Sequence, residues 1–384
     1  MKKILIIHNK YQNIGGEDIA VENEIEILKK YYKVEVLYFK NDKVLTFKQL
    51  ISFATNNNSE SNNLLKHKIS SFEPDLVYIH NTWFKASLGI FKILEKLDIK
   101  TFIKLHNFRY ICTSTLSSAR HLGGEAFCKA CGYKRKSLML LNTYFVESFF
   151  KSILVLVYGK KYFQILKKGG MNLLVLTDFH KNFIKQIGGF KSDVFVFPNP
   201  INLKPKISKT TKEDSILYAG RVSHEKGVDK LIESFLKAKL DTTTLKIVGD
   251  GPLLNELKNK YSTNEEIQFL GVLSNKEVLG LIENSIAVVT ATRLYEGQPT
   301  LLCEASSLGV PSIFPKSGGI EEFFPDNYIL SFKQFDYEDL ENKLKFISNT
   351  SQLEKIGNEN KNYIFNYLNE KKLIDSFNMI IDGK

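Results

Sequence analysis

Ile286-Ala287-Val288-Val289-Thr290, followed by Tyr295-Glu296-Gly297-Gln298-Pro299-Thr300-Leu301-Leu302-Cys303-Glu304-Ala305, is the stretch from which the fold can be read. The first run is apolar and β-branched, the pattern of a parallel strand buried on both faces. Pro299 suits the first turn of a helix, where its missing N–H leaves no bond unmade. The reading is strand, loop, helix. It puts Glu296 in the loop at the carboxyl end of the strand and Glu304 about one turn into the helix. In open α/β sheets, ligands bind in that crevice. Two carboxylates there suit the hydroxyls of a sugar or a ribose. The same spacing also fits two solvated glutamates on a loop and a helix.

The rest of the chain repeats this rhythm. A strand over 3–7 ends at His8-Asn9, a loop carries Gly15-Gly16-Glu17, and Val21, Ile25 and Leu28 mark a helix face before a strand over 34–38. Paired glycines there either let backbone N–H groups approach a ligand or simply make a tight turn. The sequence is not Gly-x-Gly-x-x-Gly, so it gives little support to a dinucleotide site. Strands over 75–79 and 101–105 end at His80-Asn81 and His106-Asn107-Phe108-Arg109. Three strands thus end in His-Asn, at ends that line one crevice. Residues 56–63, rich in Asn and Ser, read as a loop. Thr177 caps a helix that stops at Gly188-Gly189, and the polar, Pro-containing run over 198–214 reads as the linker.

The second half restarts. A strand over 215–219 leads to Gly220-Arg221-Val222-Ser223-His224-Glu225-Lys226-Gly227 and an amphipathic helix with Val228, Leu231, Ile232 and Phe235. The next strand ends in Gly249-Asp250-Gly251-Pro252. Ser274 and Glu277 form a capping box. The Glu296–Glu304 stretch follows, then a strand over 310–314 before Gly318-Gly319. Everything after that reads as helical, closing on Leu373, Ile374, Phe377 and Ile380. The expectation is an α/β protein of two Rossmann-like domains facing across a cleft, 1–198 and 199–364, with a final helix of about 365–384 packing back onto the first.

Composition fits a globular protein: 384 residues, 43% hydrophobic, 25% charged, and four Cys, too few for a disulfide framework. No signal peptide and no run of about 18 apolar residues is evident, which leads us to expect a cytoplasmic chain. The net charge of +11 favours an anionic partner, such as nucleotide phosphates, nucleic acid or a membrane surface. Residues 134–168 carry eight basic residues against Glu147 alone, interleaved with Leu, Phe and Tyr. This reads either as a basic helix lying on an anionic membrane or as a core helix with a solvated side. Cys112, His121, Cys128 and Cys131 form a candidate zinc set, weakened by irregular spacing, with free thiols as the alternative. Arg221 and Lys226 at a helix start can hold a diphosphate without a metal. No Asp-x-Asp is present to hold a divalent ion.

Taken together, the Gly-Arg…Glu-Lys-Gly loop, Val248-Gly249-Asp250-Gly251-Pro252 and Glu296-x₇-Glu304-Ala305 resemble the retaining, nucleotide-sugar-dependent glycosyltransferases of family 4, which have the GT-B architecture. Gly15-Gly16-Glu17 and Leu105-His106-Asn107 look like the amino-terminal half of that family, so the resemblance covers nearly the whole chain. It implies sugar transfer to a saccharide or lipid-linked saccharide acceptor in cell-surface polysaccharide assembly, without metal or other cofactor, at or near the inner membrane face. On that resemblance, His106, Arg221, Lys226 and Glu296 carry the reaction. Gly16, Gly220, Arg221, Lys226, Gly249, Glu296, Gly297, Gln298, Pro299, Thr300 and Glu304 hold a UDP- or GDP-linked donor. Gly15, Glu17, His80, Asn107 and Arg109 lie on the acceptor side. Gln298 departs from the family, which often has Phe there, and this puts sugar selectivity in doubt. Two rival readings remain: a sugar-nucleotide epimerase or hydrolase of the same architecture, and a basic membrane- or nucleic-acid-binding protein without catalysis.

Overall fold

In the computed structural model the described residues are 1–10, 16–41, 51–52, 54–113, 128–130, 149–201, 213–347 and 350–383. They divide into two compact units, Met1–Pro200 with Glu370–Lys384, and Ile201–Asn369. Gly15, His121, Cys131 and the basic stretch over 134–148 lie outside the described residues.

The first unit carries six parallel strands, β1 (Lys3–Lys10), β2 (Lys33–Lys40), β3 (Leu76–Asn81), β4 (Thr101–Leu105), β5 (Asn172–Val175) and β6 (Val194–Val196), in the order 2-1-3-4-5-6. Its helices are α1 (Gly16–Tyr31), α2 (Ser59–Phe72), α3 (Gly89–Lys96), the short α4 (Arg109–Cys112), α5 (Phe149–Lys168) and α6 (Asp178–Ile187). The second unit carries β7 (Ser215–Ala219), β8 (Thr244–Val248), β9 (Ile267–Gly271), β10 (Ala287–Val289), β11 (Ser312–Lys316) and β12 (Ser331–Lys333), again all parallel, in the order 12-11-10-7-8-9. Its helices are α7 (Val228–Ala238), α8 (Leu254–Lys260), α9 (Asn275–Asn284), α10 (Thr300–Ser307), α11 (Tyr337–Phe346) and α12 (Thr350–Tyr367). The last helix, α13 (Glu370–Asp382), belongs to the first unit.

Strand alternation sorts the first core into two layers. Leu5, Ile7, Val77, Ile79 and Ile103 face Tyr158, Tyr162 and Leu166 of α5. Ile4, Ile6, Tyr78 and Phe102 face Val21, Ile25 and Leu28 of α1 and Leu373, Ile374 and Phe377 of α13. Because helices cover both faces, β3 and β4 are buried throughout, and their sequences run apolar instead of alternating.

Several expectations change. β1 runs on to Lys10, so His8 and Asn9 lie inside the strand instead of beyond it. The Asn/Ser stretch is only half loop. Asn58 accepts hydrogen bonds from the N–H groups of Glu60 and Ser61 and starts α2, since Asn is a strong N-cap. β12 breaks the tail that read as wholly helical; three residues are too few to show a period. Pro299 is the N-cap and Thr300 the first helical residue. α5 is a core helix: Val155, Leu156, Tyr158, Tyr162 and Leu166 are buried, while Lys160, Lys161 and Lys168 are exposed. Those buried side chains belong to the protein's own core, while Ile153, Leu154 and Val157 are half-buried. Among the described residues no helix is long and apolar enough to cross a membrane. The caps expected at Thr177 and Ser274 form, the latter as a complete capping box.

A charged pair lies in the middle of this apolar packing. Lys104 Nζ donates to Glu24 Oε2 at 2.7 Å, and Tyr78 OH donates to Glu24 Oε1 at 2.6 Å. Lys104 is fully buried, its ammonium 4.6 Å from the centre of the Phe197 ring. Burial drives the Lys104 pKa down, and Glu24 opposes the shift. Removing one partner strands the other charge in the core. We expect Glu24→Ala to cost about 3–5 kcal/mol, measurable as a lower unfolding midpoint in denaturant. The histidines give a second expectation. Burial lowers the pKa of His80 and His106 well below the usual value and that of His180 to about 3. Folded rings stay neutral while unfolded ones protonate near pH 6.5, so stability is present above that pH and is lost as pH falls below it. The slope is up to ~1.4 kcal/mol per pH unit for each ring. His180→Gln should remove about one proton from that slope between pH 6.5 and 5, read from unfolding midpoints across pH.

Candidate active site

Counted from the start of the second unit, its strand order reads 3-2-1-4-5-6 from β9 to β12. The order reverses between β7 and β10, whose following connections leave in opposite directions. The crevice this opens at the carboxyl ends of the strands is where such sheets bind ligands. The loop of residues 220–227 follows β7, and the loop with Glu296 follows β10. The predicted residues of this half therefore lie around one switch point.

Glycines close the backbone there. A Cβ on Gly249 would stand 1.9 Å from the Gly220 carbonyl oxygen, and one on Gly227 would stand 2.1 Å from that of Ala291. Both glycines have positive φ, +129° and +68°. Gly227 is also the N-cap of α7. A Cβ on Gly318 would meet the Glu296 oxygen at 2.2 Å, where the Gly319 N–H donates to that oxygen at 2.9 Å. The loop after β11 is thereby pressed against the Glu296 backbone.

The side chains converge on Glu296. Lys226 Nζ donates to Glu296 Oε1 at 2.5 Å, and Thr292 Oγ1 donates to the same oxygen at 2.8 Å. Arg293, next to Thr292, is buried and pairs with Asp229 at 3.1 Å; its Nε donates to the Tyr337 hydroxyl at 3.2 Å. Arg221 is exposed, and its carbonyl accepts from the buried Tyr218 hydroxyl at 2.8 Å. Glu304 accepts from Asn275 Nδ2 at 3.3 Å. Burial raises the Glu304 pKa, and Asn275 works against that shift. Gln298 is buried and hydrogen-bonds the Cys303 thiol, so the departure from Phe is absorbed against α10. Gly297 is buried beside it.

The first unit gathers a second group. His80, at the end of β3, and His106, just after β4, are joined Nδ1 to Nε2 at 3.1 Å, with stacked rings. His80 Nε2 is buried without a hydrogen-bond partner. An unpaired buried N–H costs more than a bare lone pair, which places the His80 proton on Nδ1, donated to His106 Nε2. The remaining N–H of His106 is then on Nδ1. Both rings line a cavity of about 30 Å³ together with Glu17, Lys104, Asn107 and Tyr110, room for about one water. Asn107 is occupied locally, accepting the Arg109 N–H at 3.0 Å just before α4. At Gly16, the first residue of α1, a Cβ would meet nothing within 4 Å among the described residues. His8 Nε2 is bonded to Asp18 at 2.8 Å. Of the zinc set, Cys112 and Cys128 are buried with their sulfurs 3.4 Å apart. Among the described residues no group of three metal-binding side chains forms.

Sequence reasoning missed Thr292, Arg293, Asp229, Asn275 and the Lys104–Glu24–Tyr78 group. Only Asn275 had a nearby signal, since it directly follows the capping residue Ser274.

Comparison with known proteins gives the following. A sequence family described as "Glycosyl transferases group 1" matches residues 201–363. Among curated proteins, the amylovoran biosynthesis glycosyltransferase AmsD of Erwinia amylovora is 22% identical over 87% of both chains. The next curated relatives are matched over only about a third of their own length. Sucrose-phosphate synthase of Thermosynechococcus elongatus superposes over the full length of both chains with a TM-score of 0.72 at 14% identity. Anabaena HepE, solved with UDP-glucose, does so with a TM-score of 0.69 at 15% identity. The chain therefore has the GT-B fold, and residues 201–363, with the two carboxylates at the switch point, match the glycosyl transferases of group 1.

Proposed function

We propose that this chain is a retaining glycosyltransferase of the family 4 kind. It moves a hexosyl group from a UDP- or GDP-linked donor to a saccharide or lipid-linked saccharide acceptor in the cytoplasm. One observation carries the reading: Glu296 and Lys226 meet at the switch point of the second unit, with Gly220 and Gly249 packed backbone to backbone beside them. The names of the relatives, an amylovoran biosynthesis enzyme and a protein crystallised with UDP-glucose, favour cell-surface polysaccharide assembly and a nucleotide-sugar donor.

In this reading Glu304 accepts hydrogen bonds from the ribose hydroxyls and Glu296 from hydroxyls of the donor sugar. The diphosphate lies over the start of α7, where unpaired N–H groups favour an anion. Arg221 and Lys226 neutralise it in place of a divalent ion. As the glycosidic bond to the diphosphate breaks, charge grows on the leaving phosphate oxygen, and the two cations stabilise that charge more than they do the ground state. The acceptor hydroxyl attacks the anomeric carbon from the face the phosphate leaves, and its proton passes to the departing phosphate. Configuration is retained without a covalent intermediate. Gly15, Gly16, Glu17, His80, His106, Asn107 and Arg109 serve the acceptor and the reacting sugar.

Arg221→Ala and Lys226→Ala should each lower kcat on the order of 10²-fold or more; turnover at the wild-type rate in both would remove the diphosphate assignment. A panel of UDP- and GDP-hexoses, tested with and without Mg²⁺, should yield one that raises the thermal midpoint without metal, as binding stabilises by RT ln(1 + [L]/Kd). Glu304→Ala should abolish that shift. The raised Glu304 pKa sets the pH dependence, because the carboxylate must be ionised to accept the ribose hydroxyls. Nucleotide affinity should fall as pH drops, starting above the ordinary carboxylate range, with one proton taken up. Calorimetry on Glu304→Gln should show weaker binding without that dependence.

A further inference from the structure

The bonds to Glu296 are unevenly placed. Lys226 Nζ and Thr292 Oγ1 both reach Oε1. Among the described residues none of the hydrogen bonds to this carboxylate falls on Oε2. The two donors differ in what else they are asked to do. Lys226 carries a mobile ammonium that the donor's diphosphate, on the reading above, also claims. A half-buried lysine head facing two anions divides its three N–H bonds between them. Thr292 has no second anion to serve. Its hydroxyl is part of the loop's own fold, with Oγ1 accepting the Leu294 N–H at 3.2 Å.

That loop is held on every side. The Arg293 N–H donates to the Glu225 carbonyl at 3.0 Å, one residue before Lys226. The Arg293 guanidinium holds Asp229 in the first turn of α7 and the Tyr337 hydroxyl at the start of α11. Gln334 donates to Ser317 Oγ at 2.7 Å, and Ser317 donates to the Leu294 carbonyl at 2.7 Å. Thr292 is 1% exposed, so its hydroxyl has little freedom to turn elsewhere. A β-branched side chain fixed this way is a stiff point from which to orient a carboxylate.

We propose that Thr292 is the positioning residue for Glu296: its hydroxyl holds Oε1 when Lys226 turns to the diphosphate, and so points Oε2 at a hydroxyl of the donor sugar. Without a donor, the ammonium of Lys226 neutralises Glu296. With one, Thr292 alone keeps the carboxylate's rotamer. This inference rests on the donor-site reading proposed above.

Thr292→Val keeps the shape and removes the hydroxyl; Thr292→Ser keeps the hydroxyl. Calorimetric titration of the full chain with UDP and GDP, and steady-state turnover of the matching nucleotide sugar, separate the two halves of the donor. Expected for Thr292→Val is a nucleoside diphosphate Kd within about 2-fold of wild type and a kcat lowered about 10-fold, the worth of one charge-assisted hydrogen bond. Thr292→Ser should return to within about 3-fold of the wild-type kcat. Thr292→Ala replaces the valine variant if that one does not fold. Wild-type turnover in Thr292→Val overturns the proposal. So does a loss of nucleoside diphosphate affinity in step with kcat, which marks a scaffold role, or a serine variant as slow as the valine one. A wild-type chain that binds no nucleotide sugar overturns the functional reading itself, and this inference with it. One that binds and turns over while Thr292→Val does the same removes this inference alone.

Discussion

The reversal of strand order between β7 and β10 is the constraint on which the second unit depends. Two neighbouring parallel strands whose connections leave in opposite directions cannot both be covered at their carboxyl ends, so a crevice is left between their loops. Whatever is to be bound must be held by those loops, and they must come close together without filling the space. Glycine meets this need at Gly249, where the Gly220 carbonyl leaves no room for a side chain, and at Gly318, against the backbone of Glu296. The close packing of backbone serves as the wall of the site, and the side chains of Arg221, Lys226 and Glu296 are set upon it.

Two ion pairs are closed within the protein at this site. Glu296 has the ammonium of Lys226 at 2.5 Å, and Arg293 has Asp229 at 3.1 Å. Glu304 is the exception. It is largely withdrawn from water, and the amide of Asn275 only partly compensates, so its proton is held more tightly than an ordinary carboxyl's. A carboxylate kept short of hydrogen-bond donors is one that gains when hydroxyl groups are offered to it. The two glutamates, with seven residues between them, are thus prepared differently, one by a nearby cation and the other by partial burial.

The first unit solves another problem. Its sheet is buried on both faces, yet a lysine and a glutamate lie inside it. The Lys104–Glu24 pair persists because every charged atom finds a partner, with Tyr78 on the second carboxylate oxygen and the Phe197 ring beneath the ammonium. The pair also acts at a distance. Lys104 lines the same small cavity as His80 and His106, and its positive charge adds to burial in keeping both rings neutral. Two neutral imidazoles can pass one hydrogen bond along, whereas two imidazolium rings 3.1 Å apart would repel.

The two parallel sheets were legible in the sequence, because strands covered on both faces must be continuously apolar, as over 286–290, and the helices between them must show one apolar stripe, as over 228–236. Residue types at loop positions were legible too: glycines where backbones meet, and carboxylates and cations beside them. β12 was missed, since its three residues show no period, and Asn58 was taken for loop because asparagine both caps helices and fills turns. What the tertiary structure alone decided is who pairs with whom. Thr292 and Lys226 are 66 positions apart (292 − 226 = 66), yet they share one oxygen of Glu296. Asn275 reaches Glu304 from another helix, and Lys104 reaches Glu24 across the sheet. Local sequence fixes only the period of burial along each element. The partners of a polar side chain depend on which elements the chain's crossings bring side by side, and that information is not local to any stretch.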